Sequence, residues 1–218
     1  MKTPISKFLI FVLISLICLT FIFTSYTQAL TEIKGSIEQY GGINYNELKL
    51  NAINNYIKNN YLNIPQIHTD RSIFVGVRRW QTNNLAIGIE VERIETKWKN
   101  NDHIKAITRT TGYLTTAFYR ITNLFSVKTA LGGYSSSLSL FSGKDLYDSG
   151  LNFGGKLGLY IPVPAQNLDD YLPYNVPETF SGDVYLGYRF SKVRINNQYI
   201  NNIDYSGLEI STSLNISF

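Results

Sequence analysis

The chain has 218 residues, with 20 basic against 16 acidic side chains, 16 tyrosines, one cysteine and one methionine. A formal net charge of +4 on so balanced a background gives no reason to expect a nucleic-acid partner. A lone cysteine excludes an internal disulfide and any cysteine-based metal cluster, and the length suits a single domain.

Residues 1–29 read as an export signal. Lys2 and Lys7 supply a positive start, Phe8 to Phe23 is almost wholly apolar, and Thr27 and Ala29 place small residues where a signal peptidase reads them. As a membrane anchor the apolar run is short, since sixteen helical residues span only ~24 Å of a hydrocarbon core of ~30 Å. Cys18 follows Ile17 rather than a small residue, which argues against lipidation. Cleavage after Ala29 is therefore expected, leaving residues 30–218 as the mature domain. That domain has no thiol, and the loss of Lys2 and Lys7 leaves 18 basic against 16 acidic residues. It contains no further apolar run long enough to cross a bilayer as a helix.

The first predicted strand covers about Glu32 to Ile43 and ends at Gly41-Gly42. A different period follows. Leu48, Ile53, Tyr56, Ile57 and Tyr61 fall at helical spacing, Asn44-Tyr45-Asn46-Glu47 resembles a capping box, and Pro65 stops the run. This predicts one short helix over about 46–62, lying across a barrel mouth, inside a lumen or on a membrane surface.

From Arg71 the period is two. Ile73, Val75 and Val77 oppose Phe74, Gly76 and Arg78; Leu85, Ile87, Ile89 and Val91 oppose Ala86, Gly88, Glu90 and Glu92. Residues 105–120 are rich in Ile, Thr, Tyr and Phe with less clean faces. Phe125, Val127, Thr129 and Leu131 oppose Ser126, Lys128 and Ala130, and Leu151 to Ile161 alternates with Asn152, Gly154, Lys156 and Gly158. Val184, Leu186, Tyr188 and Phe190 oppose Asp183, Gly187 and Arg189. The last segment is the clearest, with Leu208, Ile210, Thr212, Leu214, Ile216 and Phe218 on one face and Gly, Glu, Ser and Asn on the other. Gly132-Gly133 and Gly154-Gly155 fall inside strands, where they relieve crowding rather than hold phosphate.

Short turns are expected at Thr82-Asn83-Asn84 and Thr122-Asn123. Longer loops are expected at the helix, at 99–103, at 142–148 and at 194–203. The connection from Pro162 to Thr179, with Pro164, Pro173 and Pro177, is longer than this alternation expects. It reads either as an ordered lid or as a sign of a different strand order.

Which face is buried decides the class. The polar faces carry Gly and Ser with sparse charge, as a narrow interior requires, whereas a solvated face carries more Lys and Glu. The apolar faces persist along each strand and end in aromatics, as a lipid band with an interfacial girdle does. The reading is all-β: an eight-stranded antiparallel transmembrane β-barrel with one short helix after the first strand. Arg78, Glu90, Glu92, Lys128, Lys156, Arg189 and Glu209 then point inward, where acids and bases can pair and close the lumen.

This arrangement resembles the small outer-membrane β-barrels of the OmpA/OmpX type. The resemblance rests on the signal, the alternating strands, the turn pattern and the terminal Leu214-Asn215-Ile216-Ser217-Phe218. It implies the bacterial outer membrane as location, its lipid as surroundings, and Leu214, Ile216 and Phe218 as a signal read by the barrel-assembly machinery during insertion. The helical insert after the first strand departs from the OmpX pattern.

Three functions fit such a barrel. The first is a structural, envelope-stabilising or surface-interaction role with the lumen closed by side chains, and the sequence does not identify an extracellular partner. The second is a lipid-modifying enzyme, for which His68, His103, Asp70 and Ser72 are the candidate residues, although no G-x-S-x-G motif is present. The third is a small hydrophobic-solute channel. A soluble secreted β-protein is the remaining alternative. No nucleotide, metal or haem motif appears, and no cofactor is expected.

Overall fold

Period-2 alternation needs an extended chain whose two faces meet different media. In the computed structural model, eight antiparallel strands close on themselves to satisfy it. The structure describes residues 34–61, 64–100, 103–122, 124–142, 144–164, 180–195, 197 and 199–218. The expected signal, and residues 165–179 of the Pro-rich connection, lie outside the described residues. The elements are β1 (Ile37–Glu47), α1 (Asn51–Asn60), β2 (Thr69–Trp80), β3 (Leu85–Asn100), β4 (His103–Arg120), β5 (Ser126–Ser142), β6 (Lys144–Pro164), β7 (Phe180–Phe190), β8 (Lys192–Arg194), β9 (Asn202–Asp204) and β10 (Gly207–Ser217). Around the barrel the order is β1-β10-β7-β6-β5-β4-β3-β2, while β8 and β9 form a separate two-stranded hairpin. Closure runs from Glu38↔Ser217 to Asn46↔Glu209, so no barrel edge is left open along these residues.

The barrel is inverted relative to a soluble one. Ile73, Val75, Ile89, Leu151 and Phe153 are more than 60% exposed, while Glu90, Glu92, Lys156, Arg189 and Glu209 are at most 1% exposed. Exposing that much apolar side chain to water would cost roughly 1.5–3 kcal/mol per residue, so the exterior is built for lipid. On β2 the apolar stretch Ile73-Val75-Val77 is bounded by the outward-facing Arg71 and Arg79. The two arginine Cα atoms are separated by ~26 Å of strand, about 20 Å along the membrane normal at a strand tilt of ~40°, and their long side chains can reach outward to the edges of an apolar band ~25 Å tall.

Strand length divides the molecule. β1, β2, β7 and β10 have 11 or 12 residues, close to the roughly 9–11 that a tilted strand needs to cross. β3, β4, β5 and β6 have 16, 18, 17 and 21 and run on past the lipid band at one end. The short turns at 81–84 and 121–125 lie at the opposite end, with the start of β1 and the end of β10. Short turns mark the periplasmic side of such barrels, so the long extensions are the outer end.

Several boundaries differ from the sequence reading. β1 continues to Glu47 and α1 begins only at Asn51, because Asn44 and Asn46 serve the lumen instead of capping a helix. The side chains of both donate to Ser72, at 2.8 and 3.1 Å. The helix has no side-chain N-cap. Strand pairing reaches further into 99–103 and 142–148 than expected, to Asn100↔His103 and Ser142↔Lys144. The segment 194–203 is partly the β8–β9 hairpin, with Val193 and Ile203 buried beneath it.

The helix lies across the outer mouth. A ten-residue helix is marginal by itself. This one is held by one face, with Ile53 and Ile57 buried against Trp98, Leu138, Leu140 and Ile195.

Candidate functional site

Alternation decides which side chains enter the barrel, and the register decides which of them meet. Glu90 and Glu92 from β3, Lys128 from β5, Lys156 from β6, Arg189 from β7 and Glu209 from β10 converge at mid-depth. Lys156 Nζ lies 3.1, 2.9 and 3.1 Å from carboxylate oxygens of Glu90, Glu92 and Glu209. Lys128 pairs with Glu90 at 2.5 Å. Arg189 pairs with Glu209 at 2.5 Å and also with Glu92. Three carboxylates thus face three cations in a volume shielded from water, and every one of the six has an opposite charge in contact. Opposite charges in contact offset part of the desolvation cost of burying them, although Nε and Nη1 of Arg189 are buried without a hydrogen-bond partner among the described residues. Glu92 is further bound by the Ser72 hydroxyl and the Asn44 amide, each at 2.7 Å.

Arg78 is not in this group. It lies nearer the periplasmic end, pairing with Glu38 at 2.5 Å and Asp183 at 3.7 Å. Its guanidinium sits 4.4 Å from the centre of the Phe118 ring and 5.1 Å from that of Tyr160. The Tyr160 hydroxyl and the Asn215 amide donate to Asp183. Tyr40, Phe74, Trp80, Phe118, Tyr160 and Tyr185 fill the space around them. Room for the rings comes from small neighbours: a Cβ on Gly76 would collide with the Tyr40 ring, and one on Gly187 with the Tyr185 hydroxyl. The sequence reading did not single out Glu38, Asp183, Tyr160 or Asn215 as a site. Their signal was position, since each falls on the polar face of its strand.

Above the charged layer the lumen changes character. The hydroxyls of Thr110 and Ser136 lie 2.6 Å apart. Tyr134 and Tyr205 are fully buried. The apolar cap beneath α1 comes next. It is fastened at Asn54, whose Oδ1 accepts from Trp98 Nε1 at 2.9 Å and from the Ile67 amide at 3.0 Å, while its Nδ2 donates to the Ile67 carbonyl at 2.8 Å.

At the rim, Lys49 Nζ lies 3.1 Å from the Tyr188 hydroxyl, and this hydrogen bond holds the ammonium above its ordinary range. On the exposed face of β3, hydrogen bonds from Lys97 and Arg109 hold the Glu95 carboxyl down at about 2. A polar hollow of about 470 Å³ opens where β6 meets the β8–β9 hairpin, lined by Asn152, Lys192, Arg194, Asn201 and Asn202.

Among the described residues, His68, Asp70 and Ser72 are not brought together into one site. Ser72 faces the lumen and donates to Glu92, whereas His68 is exposed in the connection before β2. Asp70 accepts from the Arg71 amide. The side chain of His103 lies outside the described residues. Leu214 and Phe218 face outward from the closing strand at 60% and 72% exposure, and Ile216 lies between them on the same face.

No protein-family model matches the sequence, and no curated protein sequence does. Solved structures do match. Ail, the attachment invasion locus protein of Yersinia pestis, in complex with the heparin analogue sucrose octasulfate, is similar at a TM-score of 0.53 and 11% identity over 85% of this chain and 99% of that one. The outer membrane protein OprG from Pseudomonas aeruginosa is similar at 0.43 and 14%, covering 85% and 96% of the two chains. Neisserial surface protein A is similar at 0.41 and 13%, covering 84% and 96%. The likeness to Ail is one of fold. Joined to a lipid-facing exterior and a charged, filled interior, it makes this chain a small eight-stranded β-barrel of the outer-membrane type.

Proposed function

We propose that the protein is a closed barrel of the outer membrane, exported with removal of residues 1–29, whose work is done on its outer surfaces rather than through its lumen. The observation that carries this reading is the filled interior. An aromatic layer around Arg78, the charged layer around Lys156 and the apolar cap under α1 follow one another along the axis. An eight-stranded barrel has room for little besides such side chains. The outer surfaces offer what contact requires: four strands extended beyond the lipid band and a polar hollow at Lys192 and Arg194. On this reading Leu214, Ile216 and Phe218 present the closing strand to the assembly machinery, and the acid–base network keeps the lumen shut. Conductance of the purified mature protein in planar bilayers tests it. A membrane that stays silent while folded protein is inserted is the expected result, and discrete current steps would replace this reading with a channel.

A further inference from the structure

The β8–β9 hairpin joins the outer ends of β7 and β10 and leans on the inward face of β6. Gly150 permits that approach. It shares the inward face with Gly154 and Lys156, and a Cβ on it would collide with the Arg194 carbonyl oxygen. Asn152, next along this face, donates from Nδ2 to the Lys192 carbonyl at 2.5 Å. Val193 and Ile203 bury the underside of the hairpin, so Lys192, Arg194 and Asn202 stand on its other side.

The polar hollow of about 470 Å³ lies between these elements, and its volume falls in the range of roughly 300–1,000 Å³ common to small-ligand sites. Its lining has two cations, Lys192 and Arg194, with Cα atoms ~7 Å apart on one strand face, and no carboxylate. Asp204 stands opposite Lys192 in the ladder, but its carboxylate accepts from the Ser206 amide at 2.9 Å. Among the described residues neither Lys192 nor Arg194 has an ion-pair partner. The carboxamides offer a mixed set. Asn201 Oδ1 accepts from Asn202 Nδ2 at 2.7 Å, which leaves Asn201 Nδ2 to donate and Asn202 Oδ1 to accept. A sulfate or ionised phosphate only accepts and leaves Asn202 Oδ1 unmatched, whereas a hydroxyl both donates and accepts. Two residues before Asn201, Tyr199 is 56% exposed, its ring centre 5.4 Å from that of Tyr56 on α1. An exposed ring of this kind suits the C–H face of a sugar. Hydroxyl-matched amides beside only two cations fit a sugar that carries few charges.

We propose that this hollow binds an acidic oligosaccharide, with a uronate carboxylate against Arg194 and Lys192 and ring hydroxyls against Asn201 and Asn202. The planar guanidinium of Arg194 takes a carboxylate through two parallel hydrogen bonds, and Lys192 adds a second positive charge beside it. The proposal rests on the reading above that the protein works at its outer surface, and it names the class of molecule met there.

The test titrates mature protein folded in detergent with three sugars at physiological ionic strength, with binding read by isothermal calorimetry. The sugars are trigalacturonate, its methyl ester, which keeps the hydroxyls and loses the charges, and persulfated maltotriose. Wild-type protein binds trigalacturonate, and binds the other two roughly tenfold more weakly or less. R194Q weakens trigalacturonate binding roughly tenfold, as loss of a charged hydrogen bond does, and N202A weakens it as well. R93Q, on the outward face of β3 and three places from β6 around the barrel, binds as wild type does. Equal binding of persulfated maltotriose, which would mean simple ion exchange, or unchanged binding by R194Q overturns the proposal. Heat-modifiable gel mobility of the same samples separates the two claims. A heat shift in wild-type protein that binds no trigalacturonate removes only the sugar site. Wild-type protein with no heat shift removes the membrane barrel and, with it, the outer surface on which the site stands.

Discussion

The indole Nε1–H of Trp98 donates to the side-chain Oδ1 of Asn54 at 2.9 Å, joining the far end of β3 to the helix that covers the barrel mouth. Asn54 is almost fully buried and spends its remaining capacity on the backbone of Ile67, so one amide side chain fixes both the helix and its return path. Asn54→Leu keeps the volume and strands these partners. Stability against unfolding in detergent should then fall by about 1–3 kcal/mol for each buried group left unpaired. Limited proteolysis should cut first between 49 and 66, with the strands intact.

The charged layer should show strong coupling. Lys156→Met leaves Glu90, Glu92 and Glu209 short of a cation, and breaking a buried network this way typically costs about 3–5 kcal/mol. A double-mutant cycle with Glu209→Gln should return a coupling energy of about 0.5–3 kcal/mol. Additive losses in urea titrations would mean that the two groups do not interact.

Arg78 serves as an ion-pair partner and as a flat group between aromatic rings. Arg78→Lys keeps the charge and loses the planar fork, so it should destabilise folded protein by about 1–3 kcal/mol, roughly as a lost charged hydrogen bond does. Thermal unfolding followed by circular dichroism reads the difference.

Glu95 gives a pH prediction outside the lipid band. Its carboxyl is held at about 2 by Lys97 and Arg109, below its unfolded value. A lowered folded value means that its contribution is present above the unfolded value, near 4.5, and is lost as pH falls towards 2. Partial exposure confines that contribution to about 0–1 kcal/mol. Side-chain NMR titration should place the Glu95 midpoint well below those of isolated glutamates, and Arg109→Gln should raise it.

Export processing should leave Leu30 as the first residue. Amino-terminal sequencing of protein recovered from outer membranes reads this directly, and an intact Met1 would contradict it.

The membrane-spanning parts of β2, β3, β7 and β10 were legible because lipid outside and charge inside set opposite demands on successive residues. The outer halves of β3 to β5 were not, because there the demands reverse. Trp98, Leu138 and Leu140 face inward under the cap, while Lys97, Arg109 and Ser137 face water, so the apolar side of each strand changes along its length. Asn44 and Asn46 misled for a related reason, since asparagine suits a helix start and a hydrogen-bonded lumen alike, and only register distinguishes them. Arg78 read as one of seven inward charges, yet its depth along β2 gives it separate partners in Glu38 and Asp183. Depth depends on stagger between strands, which alternation within one strand does not encode.

Most directly, the central claim rests on which face of each strand meets lipid. Nitroxide labels placed singly from Leu208 to Leu214 of the protein in bilayers, scanned for collision with oxygen and with a water-soluble relaxant, measure that face residue by residue. The account predicts high oxygen accessibility at Leu208, Ile210, Thr212 and Leu214, and low accessibility to both reagents at Glu209, Ser211 and Ser213. High relaxant accessibility at Glu209, Ser211 and Ser213, with the leucines shielded from oxygen, would mean a barrel with its apolar faces inward and would contradict it.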